Sequence, residues 1–376
     1  MLDVVIVGAG PVGLFMGLRL LRAGHRIRIL ERRSTRSVRS RAIGIHPPAL
    51  AALERAGVSG QLVSSGVRIK RGVAYSRGRK VAELPFSGDA AFPFILAVPQ
   101  ATTEKVLEDA VLEADPAAII RGIDVQETRD DGTTVRVLAH STSGNREFGA
   151  RLVIAADGAH SSLRRLHVPD TAPRTYPDSY LMGDFPDTTG HGADAVLYLE
   201  PDGIVESFPL PAGVRRWVVR LGAPARGATA VGLAELVGAR TGEVLEAAGN
   251  TMLSAFEVQS RLVRQLVHGR VVLLGDAAHE ISPIGGQGMN LGWLDAAALA
   301  PIVDASLAGA EVGKALRDFE RSRRKAAVRA SRQAGLNMAL GRPLPPAAMA
   351  ARNRVFAGLL EMPGVAGVVE RRFTMR

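Results

Sequence analysis

The stretch Val4-Val5-Ile6-Val7-Gly8-Ala9-Gly10-Pro11-Val12-Gly13 decides the fold. An apolar run ends in a G-x-G-x-x-G spacing, and Val12 to Ala23 follows as an amphipathic helix pattern. A second strand pattern, Arg26 to Leu30, ends in Glu31. Strand, glycine turn, helix, strand and acid in that order make a dinucleotide-binding βαβ unit. Gly8 permits the tight turn. Gly10 lets a pyrophosphate approach the backbone, and Gly13 lets helix and strand pack closely. Glu31 is placed to accept hydrogen bonds from ribose hydroxyls. Pro11, Val12 and Arg32 border these residues and join the candidate cofactor-binding set.

Working outward, the same nucleotide fold resumes near the far end of the chain. Arg270 to Leu274 reads as a buried parallel strand. It runs into Gly275-Asp276-Ala277-Ala278-His279, then Ser282-Pro283-Ile284-Gly285-Gly286-Gln287-Gly288-Met289-Asn290, then a helix from Leu291 to Ile302. An acid at a strand end, a glycine-rich turn and a helix start can hold a polyol and an anion. Between these two segments, Arg151 to Ala156 reads as another buried strand, ending in Asp157-Gly158.

The remaining pattern divides the chain. Pro48 to Ala56 reads as a helix stopped by Gly57. Thr102 to Ala114 reads as a helix with a threonine N-cap. Ile119 to Ala139 reads as two strands around an Asp130-Asp131-Gly132 turn. From 171 to 261 prolines and glycines interrupt short apolar runs, the pattern of an antiparallel sheet, with helix over Thr229 to Ala248. Asp295 to Gly335 reads as long and helical, and the tail from 343 as apolar-periodic helix. The expected fold is α/β: a discontinuous Rossmann-type FAD-binding domain (1–70, 94–170 and 262–340), an inserted, mostly antiparallel β-sheet substrate domain (71–93 and 171–261), and a C-terminal helical tail (341–376).

Composition narrows the chemistry. The chain has 376 residues and no cysteine, which excludes disulfides, thiolate catalysis and flavin attachment through sulfur. The first strand begins within a few residues of Met1, and no long uncharged apolar run occurs, so a cytoplasmic protein without a spanning helix is expected. The net charge of +10 has several readings. It can attract anionic cofactors, or attach the protein peripherally to an anionic membrane surface. Nucleic acid is disfavoured, because the arginines are dispersed and no basic aromatic module is present. Arginine-for-lysine usage from a GC-rich genome accounts for much of the excess. The eight histidines form no ligand-spaced cluster, so no metal is expected.

Three motifs together carry a resemblance: Gly8-x-Gly10-x-x-Gly13 with Glu31, Asp157-Gly158-Ala159-His160-Ser161-Ser162-Leu163-Arg164, and Gly275-Asp276 onward. In this order they resemble the group A flavoprotein monooxygenases, the para-hydroxybenzoate hydroxylase-like family of single-component aromatic hydroxylases. The resemblance covers most of residues 1 to 340. It implies non-covalent FAD, reduction by NADPH or NADH, and dioxygen delivered through a flavin C4a-hydroperoxide to an aromatic, phenolic or quinone-like substrate. It implies that Arg39 and Arg41 contact flavin and the nicotinamide nucleotide, and that Gln100 meets the ribityl chain. Asp157, Gly158 and Arg164 would serve FAD and NAD(P)H, with His160 against the nucleotide. Asp276 would bind the ribityl and pyrophosphate side, beside Gly275. Pro283 and Gly285 would face the reactive ring as the catalytic wall. Gly286, Gly288, Met289 and Asn290 would face the pyrimidine end. Many relatives carry two prolines where this chain has Ser282-Pro283. Apolar strands near 195 to 221, with Phe208 and Trp217, would form the dry cover. No general base is identified. The alternative is a flavin-dependent reductase of the geranylgeranyl reductase type. A monomer or homodimer fits equally.

Overall fold

Parallel strands form the spine of a computed structural model that describes residues 1–36, 42–86, 91–362 and 364–375. The spine strands lie in the order Val271–Leu273, Gly144–Ala155, Leu2–Val7, Ile27–Glu31 and Ile119–Arg121. All four neighbouring pairs among them are parallel. Val4, Val5 and Ile6 are fully buried, as a strand covered on both faces requires. The helix Pro11–Arg22 covers one face and buries Leu14, Phe15, Leu18 and Leu20. Chain order and space order differ here. The strand at 271–273 reaches the sheet only after more than a hundred intervening residues, so the nucleotide fold is discontinuous as expected.

The second sheet runs in the order 279–280, 252–262, 174–186, 214–221, 205–210, 195–198, 71–76 and 79–85. Its pairs are antiparallel except 195–198 against 71–76. Alternation assigns two faces. Leu181, Phe185, Val205, Trp217 and Val219 point to one face, where Leu233 and Val237 of the helix Ala230–Thr241 cover them. Met182, Glu206, Phe208, Val218 and Phe256 point to the other, into a cavity. The strands 44–45, 95–97 and 67–69 form a small third sheet in that order.

Several local expectations are corrected. The helix Gln100–Ala114 starts two residues early, with Pro99 at the N-cap and no side-chain cap, so no threonine caps it. Proline's fixed φ suits the entry to a helix. The region 119–141 holds three strands rather than two, although the Asp130-Asp131-Gly132 turn does join the last pair. The long helix expected over 295–335 is two helices, Gln287–Leu307 and Gly313–Leu340. Gly309, at φ 88°, turns the chain between them. The strands Arg174–Pro186 and Met252–Leu262 have no single clear alternation and escaped the sequence pattern. Helices Pro346–Glu361 and Val365–Phe373 make up the tail. No helix among the described residues is long and apolar enough to cross a membrane.

Candidate functional site

The three motifs converge through backbone contact. Gly8, at φ 105°, lies so near the strand end at 155–157 that a β-carbon there would meet the Ala156 carbonyl oxygen at 2.4 Å. A β-carbon on Gly13 would stand 2.0 Å from the Gly8 carbonyl oxygen. Val12 packs against Gly275 and Gly292, where added β-carbons would come within 3.1 and 2.5 Å of its side chain. Gly10 differs. Nothing lies within 4 Å of its would-be β-carbon, because it faces an open cavity at the start of the helix Pro11–Arg22. Arg164 ties the second motif to the third: it is buried, and its guanidinium donates to the carbonyls of Asp276 (3.1 Å) and Ala277 (3.3 Å).

The cavity has a volume of about 730 Å³. Gly10, Pro11, Val12, Gln100, Gly158 and Asp276 line it. So do Pro283, Gly285, Gly286, Gly288 and Met289 of the late glycine turn. The sheet face contributes Phe208, Val218 and Phe256. Largely apolar walls beside the backbone of a helix start suit a flat ring carrying a charged tail. The fit to a dinucleotide is physical. The Gly10 cradle is one a side chain would fill, the helix behind it lacks a side-chain N-cap, and the Asp276 carboxylate opens onto the cavity with no hydrogen bond to the described residues. Although Asp276 has accessible surface, that surface meets the cavity rather than bulk water, and desolvation raises its carboxyl above the ordinary range.

Other expected residues sit one step back. Glu31 is buried. It accepts from the Ala9 N–H at 2.8 Å and from the Arg33 backbone N–H at 3.0 Å and side chain at 2.8 Å. Burial works against its charge, but these bonds outweigh it and hold the carboxyl below its ordinary range. Arg33, not the exposed Arg32, reaches the cavity wall. Asp157 holds Ser162 and Leu163 through one oxygen and leaves the other buried without a partner among the described residues. Asn290, fully buried, ties the turn to the edge strand Gly44–Ile45: it accepts from the His46 N–H and donates to the carbonyls of Gly44 and Gly286. His160 is exposed and does not line the cavity. Gln100 lines it while donating to Glu104 at 2.8 Å. Arg39 and Arg41 lie outside the described residues.

The cover is half corrected. Phe208 does face the cavity. Trp217 points to the opposite side of the sheet, stacked on Tyr198 beneath the helix Ala230–Thr241. One residue, odd or even, separates the two faces, and the sequence alone does not say which is inner.

Two side chains, Glu206 and His46, were missed by sequence reasoning. Glu206, 8% exposed, opens into the cavity with no hydrogen-bond or ion-pair partner among the described residues, and burial raises its carboxyl to about 7. The only signal was an acid inside an apolar run, Ile204 to Leu210. His46 is buried against the Gly285-Gly286 turn, and burial lowers it to about 4, so it is neutral at pH 7. His279 pairs with Asp295, which Arg323 also grips; all three lie in or at the edge of the interior. That trio fastens the turn at 279 to both long helices and does not line the cavity.

A family model described as FAD binding domain matches residues 1–334. The chain belongs to that family. Its relatives carry the names of aromatic monooxygenases. It is 29% identical over 310 residues to 6-methylpretetramide 4-monooxygenase of Streptomyces rimosus, covering 79% of this chain and 55% of that protein. The chain therefore spans little more than half of that relative's length. It is 28% identical over 340 residues to para-nitrophenol 4-monooxygenase of Pseudomonas sp. (strain WBC-3), covering 86% of this chain and 82% of that protein. Among solved structures it resembles p-nitrophenol 4-monooxygenase PnpA from Pseudomonas putida DLL-E4, at 25% identity and a TM-score of 0.88 over 100% of this chain and 98% of that one. The resemblance read from the three motifs and the Rossmann-type α/β fold both hold.

Proposed function

We propose that the protein is a single-component, cytoplasmic FAD-dependent monooxygenase that hydroxylates an aromatic substrate, phenolic or quinone-like, at the expense of NADPH or NADH. One observation carries the reading: a single cavity joins a backbone cradle for a dinucleotide to an apolar sheet face. When bound, FAD supplies the oxygen activation that side chains lack. This chain's residues do the rest. Gly10 and the N–H groups opening the helix Pro11–Arg22 receive the pyrophosphate. Glu31 keeps one lone-pair site for ribose hydroxyls, and Asp276 accepts from the ribityl side. Gln100, Asp157 and Gly158 border the same stretch. Pro283 and the Gly285–Asn290 backbone face the ring, and the helix Gln287–Leu307 aims its positive end there. Phe208, Val218, Phe256 and Met182 keep water from the reacting carbon. Arg39, Arg41 and His160 are assigned to the nicotinamide nucleotide on the resemblance alone.

The relatives reported above are named monooxygenases and lend no support to the reductase alternative. The test is direct. Purified protein should be yellow, should oxidise NAD(P)H faster when a phenolic compound is added, and should place one atom of labelled dioxygen in the product. Anaerobic consumption of an alkene with no oxygen incorporated would favour the reductase instead.

A further inference from the structure

We propose that Glu206 is the substrate-recognising acid of the cavity: it accepts the hydroxyl proton of a bound phenol. The inference rests on the monooxygenase reading and names the substrate class within it. Glu206 stands on the strand Val205–Leu210, directly between Leu197 and Val218 on the neighbouring strands. Its cross-strand neighbours on the cavity face are thus apolar, and a carboxylate there keeps no partner of its own among the described residues. A buried acid left unmatched between apolar neighbours costs stability unless a ligand completes it. Its surroundings leave it free to do so. Arg216 faces the same cavity but is held by both oxygens of Asp184, at 2.6 and 2.8 Å. Arg220 is held by Asp178 at 2.9 Å, and Arg342 by the same carboxylate at 2.7 Å. Arg352 spends its donors on the Leu340 carbonyl and Asn353. Tyr180, on the strand Arg174–Pro186, lies close enough that charge on Glu206 adds to burial in opposing its ionisation, and its hydroxyl has no partner among the described residues.

The chemistry selects the ligand. A substrate carboxylate would bring a second anion beside Glu206, and the cation on the neighbouring strand, Arg216, is already held by Asp184. A protonated amine would satisfy the charge but lock up the lone pair that enriches the ring. A phenol does both jobs: its O–H donates to Glu206, and the oxygen left behind feeds electron density to the ring. The proton moves from the phenol oxygen to a Glu206 oxygen, giving phenolate and a neutral acid. It returns to the product oxygen on release, and no electrons are gained or lost. The acid's rise to about 7 suits that exchange at neutral pH.

The experiment titrates FAD-loaded protein with 1-naphthol and with its methyl ether, following the perturbation of flavin absorbance at pH 8. Wild type should bind the naphthol about 10- to 150-fold more tightly than the ether, the value of a hydrogen bond to a charged acceptor. Glu206→Leu should bring the ratio close to one. Glu206→Gln, which keeps the volume and a neutral acceptor, should keep a few-fold ratio that no longer varies with pH. A ratio that Glu206→Leu leaves unmoved, or wild-type protein that holds FAD yet binds neither ligand, overturns the proposal. Protein that takes up no FAD overturns the monooxygenase reading instead.

Discussion

Replacing two neighbouring glycines by alanine should separate cofactor binding from folding. At Gly13 the new β-carbon would meet the Gly8 carbonyl oxygen at 2.0 Å and the Gly8 carbonyl carbon at 3.2 Å. Both are backbone atoms of the tight turn, so relief requires the helix to move off the sheet. Overpacking of this kind costs about 1–3 kcal/mol, and a chain of this size should lose roughly 1–4 °C in Tm. At Gly10 the added methyl meets nothing within 4 Å. Its φ of −81° and ψ of 179° are open to any residue. Alanine is a poorer N-cap than glycine, but it also restricts the unfolded chain. These effects are each below about 1 kcal/mol and oppose one another. Gly10→Ala should therefore melt within about 1–2 °C of wild type when FAD is absent. With FAD the order reverses. On the proposed reading the methyl would stand where the pyrophosphate meets backbone N–H groups, and losing even one charge-assisted bond costs about 1.5–3 kcal/mol, or roughly a 10- to 150-fold rise in Kd. Thermal melts with and without FAD, and fluorescence titration of FAD, measure both. Unchanged FAD affinity in Gly10→Ala would refute the cradle, whatever happens at Gly13.

Further outcomes follow from the polar groups. Asp276→Ala should weaken FAD binding by about 30- to 1,000-fold, corresponding to about 2–4 kcal/mol, read as FAD lost on gel filtration. For Glu206 the folded carboxyl is raised from 4.5 to about 7, so the folded state holds the proton more tightly than the unfolded chain. Stability should fall as pH rises across that window. Glu206→Gln should match wild type below the window and exceed it by up to about 3 kcal/mol at pH 8, measured by urea unfolding without ligand. Equal stability of the two at pH 8 would remove the buried charge from the account. Asp295→Ala strands His279 and Arg323 together and should cost about 3–5 kcal/mol, seen in the same unfolding curves.

Local order decided how much could be read in advance. The βαβ opening, the acid at Glu31 and the glycine turn at 275 were legible, because each needs only residues adjacent in sequence. A tight turn with φ of 105° at Gly8 demands glycine regardless of what surrounds it. That a helix start can receive an anion is equally local. The break at Gly309 was less plain, since a single glycine inside a helical pattern does not by itself mark an end.

The sequence by itself therefore determined the nucleotide fold, its interruption and its FAD binding domain family. Only the tertiary structure decided which side chains look into the cavity. In a strand, alternate residues go to opposite faces, and pairing with distant strands chooses the face. That pairing turned Phe208 inward and Trp217 outward, and it set Glu206 alone among apolar neighbours. An acid in the sequence carries no mark of burial. Its partner, or the want of one, exists only once strands from 195 to 221 and 71 to 85 lie side by side.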